Sequence, residues 1–143
     1  MLELRLSELA QSLGVACETV DAVVTGLAID SRAVKPGDLF VAIDGEHVDG
    51  HDFIDKALDN GAAAIACTRA IGVAAPHIKA SDSHQVCAIY GQLIRDRFHG
   101  SVIGITGSAG KTTAKSFLES ICGLAGATVA TLGNQNNELG VPL

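Results

Sequence analysis

The chain has no long apolar run. Hydrophobic residues make up 48% of its 143 positions, but they are dispersed, and no stretch approaches the roughly 18 apolar residues of a membrane span. It has no excess of basic residues either. Ten Lys and Arg face sixteen Asp and Glu, for a formal charge of −6, which argues against a nucleic-acid binder and against a binder of anionic membranes. The four cysteines, Cys17, Cys67, Cys87 and Cys122, form no C-x-x-C pair, so no zinc or redox motif is present and buried thiols in a reducing compartment are expected. The N-terminus, Met1-Leu2-Glu3-Leu4-Arg5, lacks a basic segment followed by an apolar one, so no secretory signal is read and a cytoplasmic location is expected. Repeats and low-complexity segments are lacking too. The length suits one ordinary domain, or one small domain and part of another. A compact chain of this size buries about 68% of its unfolded surface and needs no disulfide or metal staple.

What is present is an alternation of short apolar runs and amphipathic stretches, the pattern of an α/β protein. Ser7 is placed to cap a short helix through Leu13, with Gly14 behind it. Val20 to Ile29, interrupted at Gly26, and Leu39 to Ile43 read as strands. Between them Lys35-Pro36-Gly37-Asp38 suits a type II turn. Asp52 is expected to cap a helix that buries Phe53, Ile54, Ala57 and Leu58 and ends at Asn60-Gly61. Ala62 to Cys67 and His77 to Ala80 read as strands. Asp82 and Gln85 have capping-box spacing before a helix on which Val86, Ile89, Tyr90, Leu93, Ile94 and Phe98 keep a 3.6-residue period. A seam falls near His99-Gly100-Ser101. Residues 1–99 are expected to form a small mixed α/β unit, and residues 100–143 the first strand–loop–helix–strand of a second unit cut early. In that second unit Val102 to Thr106 and Thr128 to Leu132 read as strands, and the helix between them should turn Ala114, Phe117, Leu118 and Ile121 inward.

The strongest local signal lies between those two strands. Thr106-Gly107-Ser108-Ala109-Gly110-Lys111-Thr112-Thr113 joins an apolar run to a helix through a loop of small residues. Glycines let backbone N–H groups point into one concavity, the helix N-terminus adds partial positive charge, and Lys111 adds a full one, which together make a phosphate cradle. Thr112 stands where a hydroxyl normally reaches Mg²⁺. The common spacing wants a glycine at Ile105, so this is a variant form. With 16 glycines in 143 residues and typical Lys, Ser and Thr usage, Gly-x-x-Gly-Lys-Thr arises by chance about 0.01 times in such a chain.

Two weaker signals accompany it. Gly133-Asn134-Gln135-Asn136-Asn137-Glu138-Leu139-Gly140-Val141-Pro142 is a polar loop after a strand, and in an open α/β sheet such loops face the ligand crevice. Ile29-Asp30-Ser31-Arg32 and Gly45-Glu46-His47-Val48-Asp49-Gly50-His51 read as loops with polar groups. Gly50 between His47 and His51 argues against a helical metal pair there.

Taken together these motifs resemble the Mur ligase family of peptidoglycan synthesis. The phosphate loop looks like that family's ATP loop. Asp30-Ser31-Arg32, Pro36-Gly37-Asp38-Leu39-Phe40-Val41-Ala42 and Gly45 to Gly50 look like its N-terminal UDP-substrate domain. The resemblance implies ATP and Mg²⁺, with Gly107, Ser108, Ala109, Gly110, Lys111, Thr112 and Thr113 binding ATP, Lys111 the catalytic cation and Thr112 the metal ligand. It implies that Ser31, Glu46 and His47 hold the uridine end of the substrate and that Asn134 and Asn137 lie in the cleft. The asparagine-rich loop favours a member that joins D-alanyl-D-alanine to UDP-N-acetylmuramoyl-tripeptide over the diamino-acid-adding one. A monomer acting on small molecules, with no nucleic acid and no membrane insertion, is expected. The family's further magnesium carboxylate, histidine and lysine have no match here, so the 143 residues are expected to be inactive alone. The alternatives are a non-enzymatic UDP-sugar or nucleotide module, the diamino-acid-adding ligase, and an unrelated phosphotransferase.

Overall fold

A computed structural model describes residues 2–17, 19–45 and 48–131. Its elements are β1 (Leu4–Arg5), α1 (Leu6–Leu13), β2 (Val23–Val24), β3 (Gly26–Ala28), β4 (Asp38–Val41), a 3-10 turn (Gly50–Phe53), α2 (Ile54–Asp59), β5 (Ala64–Cys67), β6 (His77–Lys79), α3 (Ser83–Arg97) and α4 (Lys111–Ala125). Strands β3-β4-β5-β6 lie side by side in that order and all run parallel, while β1 and β2 form a separate antiparallel pair. This is the mixed α/β class expected.

Both faces of the parallel sheet are covered, which is why β4 and β5 are buried at every position and read as unbroken apolar runs. Successive side chains point to opposite faces. Leu39, Val41, Ala64, Ala66 and Ile78 therefore pack with Leu6, Leu9 and Ala10 of α1 and Val86, Cys87 and Tyr90 of α3. Phe40, Ile65 and Cys67 pack on the other face with Ile54 and Ala57 of α2. Burial pushes the Cys87 thiol up to about 11 and the Tyr90 hydroxyl up to about 12. Arg97, in the last turn of α3, pairs with Glu8 at 2.7 Å and donates to the Glu3 carbonyl, tying the end of one helix to the start of the other.

Several local expectations hold. Lys35–Asp38 is a turn closed by Asp38 N on the Lys35 carbonyl at 3.0 Å, with Gly37 at φ 94°. Asp82 caps α3 by accepting from His84 N at 2.8 Å.

Others are corrected. Ser7 is not the cap of α1. The helix starts at Leu6 behind Arg5, two residues earlier than that cap would place it, and the exposed amide and hydroxyl of Ser7 both donate to Asp21, at 3.0 and 2.9 Å. A carboxylate from outside the helix thus does the cap's work. Val20–Ile29 is not one strand broken at Gly26. It divides at Thr25, with β2 serving the small sheet and β3 the large one. Asp52 does not cap α2. Asp49 begins the helical stretch by accepting from His51 N at 2.8 Å, and Phe53 is exposed.

Residues 102–106 and 128–131 are not strands. A strand exists only with a partner for its backbone hydrogen bonds, and among the described residues none pairs with either segment. Leu132 lies outside the described residues. Helix α4 forms as expected but buries no residue. Phe117 and Ile121, expected inward, are 65% and 62% exposed.

Candidate functional site

The parallel sheet brings the turns after β3, β4 and β5 to one edge, the carboxyl ends of its strands, where open α/β sheets take ligands. After β3, Arg32 N donates to Asp30 Oδ1 at 2.9 Å, and the guanidinium folds back onto the same carboxylate at 2.7 to 3.2 Å. The hydrogen bonds from the Arg32 side chain hold Asp30 down to about 2. Between them Ser31 is 5% exposed, and its carbonyl accepts from Asn60 Nδ2 at 2.8 Å. The turn is therefore pinned to the end of α2.

After β4 the chain makes a tight hairpin. Asp44 and Asp49 face each other in an antiparallel bridge, Gly45 N donates to the Val48 carbonyl at 3.1 Å and Gly50 N to the Ile43 carbonyl at 2.8 Å. Glu46 and His47, expected to touch substrate, lie outside the described residues. His51 follows the hairpin and is 9% exposed. Its Nδ1 is 2.8 Å from Asp49 and 3.1 Å from Asp44, and its Nε2 accepts from Thr68 N at 3.1 Å.

After β5, Thr68 Oγ1 donates to Asp44 Oδ2 at 2.8 Å, and Arg69 pairs with Asp49 at 2.5 Å. The His51 amide above all, then the imidazole and Arg69, hold the Asp49 carboxyl far below the usual range. One carboxylate oxygen each from Asp44 and Asp49 and a ring nitrogen of His51 lie within 4.8 Å of one another. A proton on Nδ1 and the Arg69 guanidinium already serve those oxygens, so the cluster is a closed hydrogen-bond network. Beside it a dent of about 350 Å³ runs from His51 and Asp55 to Arg69 and Val73. Sequence reasoning did not single out Asp44, Thr68 or Arg69. Their partners stand up to 24 residues away, and no local spacing marks them.

The phosphate-loop residues form the second candidate site. Gly107 and Gly110 have φ of 156° and 77°, and Gly110 precedes α4 with no side-chain cap. A left-handed residue here favours glycine, because any Cβ would be strained. Ser108 and Ala109 form the bend between them. Lys111 opens the helix, and its Nζ turns back to the Gly107 carbonyl. Thr112 and Thr113 follow, exposed. Lys111 and Thr112 line a cleft of about 850 Å³ whose other walls include Val102, Ile103, Leu118 and Val129. Left-handed glycines, an uncapped helix start and an ammonium suit a polyphosphate. Thr112 offers Mg²⁺ a single hydroxyl. Asn134 and Asn137 lie outside the described residues.

A parallel-sheet unit with polar turns on its carboxyl edge, followed by a glycine-lysine loop opening a helix, matches known proteins. Residues 23–106 match the family described as Mur ligase family, catalytic domain, and residues 105–143 match the Mur ligase middle domain. The chain belongs to the Mur ligase family. It is 34% identical, over its whole length and 32% of the relative, to the UDP-N-acetylmuramoyl-tripeptide–D-alanyl-D-alanine ligase of Escherichia coli K12. It is 37% identical, over 96% of its length and 29% of the relative, to the UDP-N-acetylmuramoyl-L-alanyl-D-glutamate–2,6-diaminopimelate ligase of Listeria monocytogenes serotype 4b. Among solved structures it resembles MurF of Acinetobacter baumannii (TM-score 0.80, 30% identity, 99% of this chain and 32% of that one). It also resembles the MurF ligase of Thermotoga maritima in complex with ADP (TM-score 0.67, 37% identity, 83% of this chain and 28% of that one). The chain thus spans about a third of the length of the relatives it matches. Among the described residues no helix is long and apolar enough to cross a membrane.

Proposed function

We propose that this chain is the N-terminal part of an ATP-dependent amide ligase that joins D-alanyl-D-alanine to UDP-N-acetylmuramoyl-tripeptide. The observation that carries the reading is the Gly107–Lys111 loop opening α4 in a chain whose likeness to D-alanyl-D-alanine ligases covers all of it. We take residues 1–99 as the unit that holds the UDP end of the substrate and residues 100–143 as the start of the ATP unit.

The chemistry follows from the groups involved. A carboxylate oxygen of the tripeptide attacks the γ-phosphorus of ATP, the bond to the β-phosphate oxygen breaks, and ADP leaves. The amine of D-alanyl-D-alanine then attacks the acyl phosphate carbon, and inorganic phosphate departs as the amide forms. Such a reaction depends mainly on positioning and charge neutralisation. Lys111 Nζ neutralises charge on the β- and γ-phosphates, and the amides of residues 107–113 cradle them. The Thr112 hydroxyl would be one ligand of Mg²⁺, and the ion would supply further positive charge to the phosphates. Ser31, Glu46 and His47 hold the uridine end, and Asn134 and Asn137 stand in the cleft.

Binding separates the two half-sites. Lys111→Ala should weaken ATP binding at least tenfold, an amount in keeping with loss of a charged hydrogen bond, and leave UDP binding unchanged. Equal loss of both ligands would contradict two sites. The longer protein should form ADP with D-alanyl-D-alanine as acceptor. Turnover of UDP-N-acetylmuramoyl-L-alanyl-D-glutamate with 2,6-diaminopimelate instead would move the assignment to the diamino-acid-adding ligase. The 143 residues alone should form no ADP with both substrates present.

A further inference from the structure

The His51 network stands outside the residues assigned above to either ligand. Its imidazole is buried between two turns of the carboxyl edge and has a partner on each nitrogen. Thr68 N can only donate, so Nε2 accepts. Nδ1 therefore carries the proton of the neutral ring and gives it to Asp49, with Asp44 also in reach. Thr68 Oγ1 adds a parallel link to Asp44, and Arg69 one to Asp49.

The links from Thr68 and Arg69 join one pair of segments, with His51, two residues beyond Asp49, on the hairpin side. Asp44 and Asp49 are the facing residues of the hairpin stem after β4, and Thr68 and Arg69 follow β5 directly. The stem is closely packed and held by its own backbone bonds, Gly45 N to the Val48 carbonyl and Gly50 N to the Ile43 carbonyl. A Cβ on Gly45 would stand 2.7 Å from the Val48 carbonyl oxygen, and one on Gly50 would stand 2.6 Å from Ile43 N. Beyond these backbone bonds the stem is fastened through its two carboxylates, and the buried group that they bind is His51.

We propose that His51 is a positioning residue: as the Nδ1-protonated neutral ring it locks the hairpin stem of Asp44 and Asp49 to the end of β5, and so sets the affinity of the carboxyl edge for a uridine diphosphate group. This rests on the reading that the edge takes the UDP end of the substrate. His51 need touch no ligand. A ring protonated on both nitrogens, or a side chain with only one of the two functions, breaks one arm of the lock. Asp44, Asp49, Asp55 and Arg69 are the charged groups that face or border the ring.

The test is a titration of the chain with UDP and, separately, with ATP, followed by NMR. His51→Gln and His51→Asn each keep part of the hydrogen-bonding capacity, and each should weaken UDP binding about tenfold, as loss of a buried hydrogen bond implies, while ATP binding stays unchanged. Nitrogen–proton correlation spectra of the wild-type imidazole should show the proton on Nδ1. Wild-type UDP affinity in both variants, or a proton on Nε2, would overturn the proposal and leave the UDP reading standing. Failure of the wild-type chain to bind UDP would overturn that reading and the proposal with it. If both variants lose the folded spectrum, Thr68→Val, which removes the hydroxyl link to Asp44 and the 3.4 Å approach of that hydroxyl to His51 Nε2 but keeps the Thr68 amide, should lower UDP affinity several-fold, and an unchanged affinity there would sink the idea.

Discussion

Gly37 shows how a single residue can be held by both conformation and space. Its φ of 94° is left-handed, and a Cβ would stand 2.6 Å from Thr25 Oγ1. Gly37→Ala should cost about 1–3 kcal/mol in urea unfolding, and a change near zero would show that the turn can relax. Titration at two buried groups gives a prediction of opposite character. Tyr90 and Cys87 are raised to about 12 and about 11 by burial, against ordinary values of about 10 and 8.5. A raised folded value means that the neutral form is favoured by folding. That contribution is complete below the unfolded values and is lost as pH rises through 11 and 12. Tyr90→Phe should therefore move alkaline unfolding, followed by circular dichroism, to higher pH; an unchanged midpoint would count against it. Asp30 has the acid counterpart. Its value near 2 means a contribution present above about pH 4 and lost as pH falls toward 2, and Arg32→Ala should return its carboxyl titration toward the ordinary range in NMR. The phosphate-loop residues were legible as candidates because glycine and lysine in fixed local order carry their own chemistry, and Ser31 was legible only through the family likeness of Asp30-Ser31-Arg32. Arg69 and Thr68 were not, because their meaning depends on partners in the hairpin after another strand.

At the scale of elements, the contrast is between helices that pack and one that does not. Leu9 of α1 is fully buried against the sheet and α3, so Leu9→Ala should cost about 2–5 kcal/mol. Phe117 of α4 is 65% exposed, and Phe117→Ala should change stability by no more than about 0.5 kcal/mol. Equal effects in urea denaturation would show that α4 shares the core. Helix α3 was readable from its period and its cap, both set by residues three and four apart. The segment from Val20 to Ile29 was readable as extended but not as two strands in two sheets. Extended backbone is a local preference, whereas membership of a sheet is decided by which strand lies alongside. The same reason separates β5, whose neighbours on both sides supply hydrogen bonds, from residues 102–106, which have the composition of a strand and no partner among the described residues.

Over the whole molecule, burial is concentrated in residues 4–90, and among the described residues beyond that range only Leu93 and Ile94 of α3 pack against either core. Amide exchange should accordingly protect β1 through α3 and exchange quickly in α4 and the segments around it. Protection of α4 at the level of β4 would contradict a division near residue 99. The apolar side chains of residues 102–129 that face solvent, Val102, Ile103, Phe117, Ile121, Leu124 and Val129, predict concentration-dependent association. Light scattering should fall when Phe117 and Ile121 are both replaced by Ser, and association that persists undiminished would place its cause elsewhere.

By itself the order of residues determined the α/β class, the turn at Pro36-Gly37, the long third helix and the phosphate loop with its lysine, together with the family likeness those motifs carry. Each of these depends on neighbours within a few positions, where propensity, glycine placement and capping act. Only the tertiary structure decided that Asp21 caps α1, that Thr25 divides two sheets, and that His51 joins the turns after β4 and β5. Those outcomes depend on hydrogen bonds and burial between segments far apart in the chain, and the energy of such a contact exists only once the sheet has brought its two halves together.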